Sequence, residues 1–187
     1  MPFNVNTFVT ELNKNGVLKT SKFDVVIYGP TAILGARQSP SEFRCVAASI
    51  PGININTLDF KLYGGMPNLK VPKSREYDTL RLTFLAQSDF SDRYYFEDWF
   101  NLVSNLSSNN IGYYDDVTAD IHIQVYDETK PNDIPYEIVA LNAIAINIDS
   151  VDLSWAETDA LIEYNVTFSY EQLQFNTNLD LQSVIMQ

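Results

Sequence analysis

Tyr77-Asp-Thr-Leu-Arg-Leu-Thr-Phe-Leu-Ala-Gln-Ser-Asp-Phe-Ser-Asp-Arg-Tyr-Tyr-Phe-Glu-Asp-Trp-Phe-Asn-Leu-Val-Ser-Asn-Leu106 contains both periodicities from which a fold can be read. In its first third, Leu80, Leu82, Phe84 and Ala86 alternate with polar neighbours, which predicts a strand over 79–86 with one buried face. Past Ser88 the period changes. Phe96, Trp99, Phe100 and Val103 recur at i, i+3, i+4, i+7, which predicts a helix over 89–106 with these four on one stripe and Arg93, Glu97, Asp98 and Asn101 elsewhere. Ser88 is placed to cap that helix, with Asp89 and Asp92 in its first turn near the positive end of the helix dipole. An apolar stripe of this width has to be covered.

Outward from this stretch the pattern is almost all of period two. Before it, strands are predicted at 22–28 and 42–49, the latter with Phe43, Cys45 and Ala47 on one side. Pro51-Gly52 breaks the second strand. Leu58, Phe60 and Leu62 then alternate with Thr57, Asp59 and Lys61 up to Tyr63, Gly64-Gly65-Met66-Pro67 reads as a turn, and Asn68 to Val71 returns before Pro72 stops it. The prediction is a hairpin over 57–71 projecting between two core strands. Such a hairpin offers unpaired backbone groups to another chain. After the helix, 104–114 reads as a polar loop, 118–127 and 136–148 as strands, 149–159 as a loop with Leu153 and Trp155 as its apolar interlude, and 161–170 as the last strong strand. Residues 171–187 read as a polar tail. At the other end, 1–20 is an Asn-rich arm with a short helical pattern from Phe8 to Lys14 and a stop at Gly16. The expected fold is mainly β: an antiparallel β-sandwich or barrel-like domain over 21–175 with one flanking α-helix, an arm (1–20) and a tail (176–187).

Composition narrows the function. A chain of 187 residues is long enough for one domain with a core of its own, and 45% hydrophobic residues is ordinary for a globular protein. With 24 acidic against 12 basic residues the net charge is -12, which disfavours direct binding of nucleic-acid phosphates or anionic membranes. No run approaches the roughly 18 apolar residues of a membrane span, so no membrane anchor is expected. The single cysteine and a start without a signal pattern lead to the expectation of synthesis in a reducing cytoplasm.

The residues that carry chemistry are few. His122 is the lone histidine; with Asp120 two positions away on its strand face it supplies half a metal site at most. Asp115-Asp116 and Asp149 with Asp152 lack the spacing and central glycine of a calcium loop and read as solvated turns. Cys45 reads as a small buried hydrophobe and not as the partner of His122. Gly64-Gly65 lacks the lysine and following helix of a phosphate cradle. No catalytic, cofactor-binding or metal residues are predicted. The competing reading is an acidic hydrolase or carbohydrate-binding sandwich built on Asp115, Asp116 and Asp120.

Three stretches together resemble the tail tube proteins of contractile-tailed bacteriophages. They are Phe43-Arg-Cys-Val-Ala-Ala-Ser-Ile-Pro-Gly52, then Tyr63-Gly-Gly through Lys70-Val-Pro-Lys-Ser-Arg-Glu-Tyr-Asp-Thr79 with the following strand and the Phe96-Glu-Asp-Trp-Phe helix, and finally Ala145 to Trp155 through Ile162 to Tyr170. The resemblance covers roughly 6–175. It implies a tail-tube-like sandwich that assembles into hexameric rings stacked into a tube, with the inner sheets of neighbours joined around a channel for DNA ejection. It further implies tail sheath subunits and baseplate proteins as partners, DNA passing the lumen without specific binding, and a virion location. A baseplate tube initiator or tube-end protein shares this core and is the alternative. On this reading Asp59, Lys61, Tyr63, Gly64, Gly65, Met66 and Lys70 are the expected inter-ring or inter-subunit contacts, and Asp59, Glu137 and Glu163 are the carboxylates whose strand phase allows them to face the channel.

Overall fold

The computed structural model of the chain describes residues 18–30, 44–61, 69–127, 134–155 and 161–176, together with Val5, Thr10 and Ile33. The expected helix at Phe8 to Lys14, the loop at 31–41 and the turn at 128–133 lie largely outside these residues, as does the tail after Asn176. Among the described residues there are nine strands and two helices: β1 (Phe23–Tyr28), β2 (Cys45–Ser49), β3 (Ile53–Phe60), β4 (Leu69–Tyr77), β5 (Leu80–Leu85), α1 (Ser91–Val103), α2 (Tyr114–Val117), β6 (Ala119–Val125), β7 (Tyr136–Ile148), β8 (Glu163–Ser169) and β9 (Gln172–Asn176).

The strands pair antiparallel in the order β1-β6-β7-β8-β5-β2, with β9 also on β7, while β3 and β4 form a separate two-stranded ribbon. The long strand β7 belongs to both halves of the sandwich. Its first part pairs β6 on one side and β9 on the other, and its last part pairs β8. Two irregularities let it pass between the layers: Asn142 takes a left-handed conformation (φ 51), and the register with β8 shifts between Ala145 and Asn147. Asn accepts this region more readily than other non-glycine residues, and a bulge bends the strand that carries it. The phase changes with the bend. Ala143 and Ala145 are buried, whereas Ile146, in the predicted Ile144, Ile146, Ile148 series, is exposed.

Between the layers, Val25, Ile27, Ile121, Ile123, Ile138 and Ala140 meet Leu80, Leu82, Phe84, Tyr164, Val166 and Phe168, all at most 4% exposed. Each large apolar side chain moved from water into this core contributes about 1.5–3 kcal/mol. Helix α1 closes one side. Phe96 packs against Phe84 (ring centroids 5.1 Å), Tyr164 and Phe168, and Trp99 packs against Phe168.

Helix α1 departs from the expectation in its start and its stripe. It begins at Ser91, and Ser88 is not its cap: Phe90 holds the cap position in the left-handed region (φ 55), without a side-chain cap hydrogen bond. The Ser91 N–H donates instead to Asp89 Oδ1 at 3.1 Å. Phe96 and Trp99 are buried as predicted, but Phe100 and Val103 are only partly covered, and the face is completed by Tyr95 and Asp92. The buried stripe is therefore shifted toward the N-terminus. Asp92 is drawn inside because Tyr164 Oη donates to it at 2.8 Å and the Gln87 N–H lies at 3.4 Å.

Three further expectations are corrected. In β2 a bulge between Cys45 and Ala47 turns the strand over, so Cys45 and Ala48 pack inward and Ala47 does not. The predicted polar loop 104–114 leads into α2, whose Val117 carbonyl accepts from Trp99 Nε1 at 2.7 Å. The predicted tail begins with a strand, β9, in which Leu173 is buried between polar neighbours.

Candidate functional site

Among the described residues, the ribbon β3–β4 pairs with no third strand. It starts from the body as a continuation of the β2–β5 pair: Ser49 is opposite Arg81, the Asp78 N–H donates to Gly52 O, and Ile53 is opposite Tyr77. Its eight-residue first strand reaches about 27 Å at about 3.4 Å per residue. It is longer at its base than the expected hairpin 57–71, and Pro72 does not stop the returning strand. The register explains how β4 tolerates it. Asn56 faces Ser74 and Thr57 faces Pro72, so Lys73 is an extra residue in β4. A proline without an amide proton is accommodated at such a bulge on an edge strand.

That extra residue also reverses the phase of β4, so that its apolar residues follow those of β3. Toward the base, Ile53 and Ile55 share a face with Tyr77; toward the tip, the opposite face carries Leu58 and Phe60 with their cross-strand partners Val71 and Leu69. Ile53, Ile55, Leu58, Phe60 and Leu69 are 43–60% exposed. The ribbon thus carries two apolar patches on opposite faces, one near the body and one near the tip. An isolated two-stranded hairpin is marginal in water, so such patches are ones that another surface has to cover.

Of the residues predicted for contact, Asp59 and Lys70 are directly opposed across the ribbon and exposed, and Lys61 is exposed just beyond. Tyr63, Gly64, Gly65 and Met66 lie outside the described residues. The three carboxylates considered for a channel do not share a surface: Asp59 is on the ribbon, Glu137 on the outer face of the β1-β6-β7-β9 layer, and Glu163 at the start of β8.

Two polar networks cover the outer faces of the layers, and neither was legible beforehand. On the β2-β5-β8-β7 layer, Asp149 accepts from Arg81 (2.7 Å), Asn165 (2.8 Å) and Asn147 (2.8 Å), while Thr83 donates to Asn165 (2.7 Å). These hydrogen bonds, that of Asn165 foremost and that of Arg81 next, hold the Asp149 carboxyl below its usual range. By register the rest of this face carries Ser49, Thr167 and Ser169, with Leu85, Ile144 and the carboxylate of Glu163 toward its margin. On the other layer Glu137 accepts from Asn176 (2.9 Å), Gln124 (2.9 Å) and the His122 ring (3.1 Å). The Asn176 and Gln124 amides, with His122 after them, hold its carboxyl down at about 2. Residues from three strands are needed for this network, and no local spacing announces it.

The residues weighed for chemistry are occupied otherwise. Asp120 accepts from the Asn142 N–H, Asp115 and Asp116 are exposed in α2, and burial pushes the Cys45 thiol up to about 12. Among the described residues, no three His, Cys, Asp or Glu side chains are grouped so as to hold a metal ion, and no helix is long and apolar enough to cross a membrane.

A family model for phage tail tube proteins matches residues 7–176 of this chain. The baseplate tail-tube junction protein gp54 of Enterobacteria phage T4 is 26% identical over 108 residues, 58% of this chain; the match spans only 32% of that protein. Among solved structures, a chain of the PVC sheath-tube complex of an extracellular contractile injection system superposes with a TM-score of 0.64 at 12% identity, covering 90% of this chain and 97% of that one. A chain of the anti-feeding prophage baseplate superposes at 0.66 with 11% identity, covering 88% and 99%. At such identities the likeness is one of fold.

Proposed function

The chain belongs to the phage tail tube protein family, and from that premise we propose that copies of it close into six-membered rings that stack into a DNA-conducting tube within a contractile tail. The observation that carries this reading is the β3–β4 ribbon with its two apolar patches on opposite faces. One patch suits a neighbour in the same ring and the other a subunit of the next ring, so a single element serves both directions of growth. Asp59, Lys61 and Lys70 give the outer end of the ribbon its charged contacts, and Tyr63 to Met66, next in the sequence, belong to the same proposed contact. Among the described residues, the sheet edges at β2 and at the end of β7 are open to pairing with another copy, and closure of a ring removes such edges from solvent.

On this reading the outer face of β2-β5-β8-β7 lines the channel. Helix α1 packs on the inner face of the same strands, and the outer face presents Ser49, Thr83, Asn165 and Thr167 around the neutralised Arg81–Asp149 pair. Short uncharged side chains give DNA phosphates nothing to hold, and Glu163 at the margin repels them. The role is structural and not catalytic, with synthesis in the host cytoplasm and sheath and baseplate proteins as partners. A tube-end or initiator role is the second reading, favoured by the similarity to a junction protein.

The two separate in negative-stain electron microscopy of the purified chain at rising concentration. Tubes with a central channel are expected, and deletion of Gly64 to Asn68 is expected to leave a folded subunit that does not polymerise. Isolated rings that never propagate would favour the tube-end role; a deletion variant that still forms long tubes would remove the tip from the contact.

A further inference from the structure

Opposite edges of the β2-β5-β8-β7 layer carry a hole and a knob. At the β2 edge, where the two layers part, an apolar groove of about 470 Å³ is lined by Phe23, Val46, Ala48, Ile50, Val125 and Tyr136, among others. Val46 and Ile50 are 45% and 50% exposed there. At the other edge the chain leaves β7 at Ile148 and runs through Val151, which is packed on the core, to Leu153 and Trp155, which are 78% and fully exposed. A tryptophan with no contact surface of its own is an unusual residue for a solvated loop and a common anchor of interfaces.

We infer that the Leu153/Trp155 knob of one copy seats in the β1/β2 groove of the next copy around the ring. This rests on the tube reading above and adds the contact that closes the ring. A head-to-tail ring needs two different, complementary patches on one chain, set apart in the direction of the neighbour. The registers put them there: Ser49 of β2 is opposite Arg81, Arg81 opposite Thr167, and Thr167 opposite Asn147 of β7, so groove and knob sit at the two ends of one row of strands. Charge agrees with this docking. Lys19 lines the groove, whereas the knob segment carries Asp152.

The test uses the full chain and two substitutions at exposed positions, Trp155→Asp and Val46→Asp, with thermal melts confirming that each variant folds. Mass photometry should show that each alone needs at least about tenfold more protein to assemble, the loss that corresponds to 1.4 kcal/mol. At concentrations where neither variant assembles alone, their mixture should give heterodimers, because the knob of the Val46→Asp chain and the groove of the Trp155→Asp chain are both intact. Trp155 also reports directly. The chain has two tryptophans and Trp99 is buried, so acrylamide quenching of Trp155 should fall as the wild-type chain assembles. Rings formed by Trp155→Asp at the wild-type concentration would overturn the knob-and-groove contact alone and leave the tube reading standing, with the groove then free for a ribbon tip or residues 1–17. A wild-type chain that stays monomeric at every concentration, with Trp155 equally quenched throughout, would contradict both.

Discussion

Asp92 shows how one side chain joins a helix to a sheet. It lies in the first turn of α1, 2% exposed, and its carboxylate accepts from Tyr164 Oη on β8 at 2.8 Å. Burial and this carboxylate together raise the Tyr164 pKa. Asp92→Ala leaves the hydroxyl buried without its acceptor and is expected to lower stability by about 1–3 kcal/mol in urea unfolding, with Asp92→Asn costing less because an amide oxygen still accepts. An unchanged midpoint for Asp92→Ala would mean that the pair contributes nothing. Glu137 gives a pH signature. Its carboxyl is held at about 2 against an ordinary 4.5, so its network stabilises the fold fully above about pH 4.5 and the contribution disappears as pH falls toward 2. Glu137→Gln should flatten the melting temperature over that window; an equally steep acid limb in the variant would assign the loss to other carboxylates. Neither role was legible, since Asp92 read as a charge compensating the helix dipole and Glu137 as a carboxylate whose strand phase allows it to face the channel.

At the scale of elements, the strands with strict alternation were legible and the irregular ones were not. Leu80, Leu82, Phe84, Tyr164, Val166 and Phe168 are buried as their period dictates. The phase failed where backbone irregularities intervene, at Cys45/Ala47 and Ala145/Asn147, because one extra residue moves every later side chain to the other face. The same holds for Pro72, which reads as a stop but sits where Lys73 bulges. The short helix α2 was missed because four residues carry no period. Its placement depends on Gly112: a Cβ there would lie 2.6 Å from both the Leu102 carbonyl oxygen and Val117 Cγ1. Gly112→Ala should therefore loosen α2 from α1 at a cost of about 1–3 kcal/mol, visible as a lower melting temperature and a change in Trp99 emission as its bond to Val117 O is strained. A variant with wild-type melting would show that this corner yields.

For the whole molecule, the class of fold was legible from counting alternating segments, while the sharing of β7 between layers was not, because it depends on a left-handed Asn142 and on pairing with partners that lie well outside any local window of the sequence. The ribbon was foreseen as a projecting hairpin over 57–71, but its base at Ile53 to Asn56 lay outside that range, and the bulge that brings Tyr77 to one face and Val71 and Leu69 to the other is displayed only by the register. On the proposed reading this chain acts by assembly, with the ribbon as its principal joint. Cryo-electron microscopy of the assembled wild-type chain tests it most directly. Six-fold rings are expected, in which Leu58, Phe60 and Leu69 are covered by a neighbouring copy and Thr83 and Thr167 face an open channel. An assembly of another symmetry, or one in which the ribbon tip remains in solvent, would contradict it.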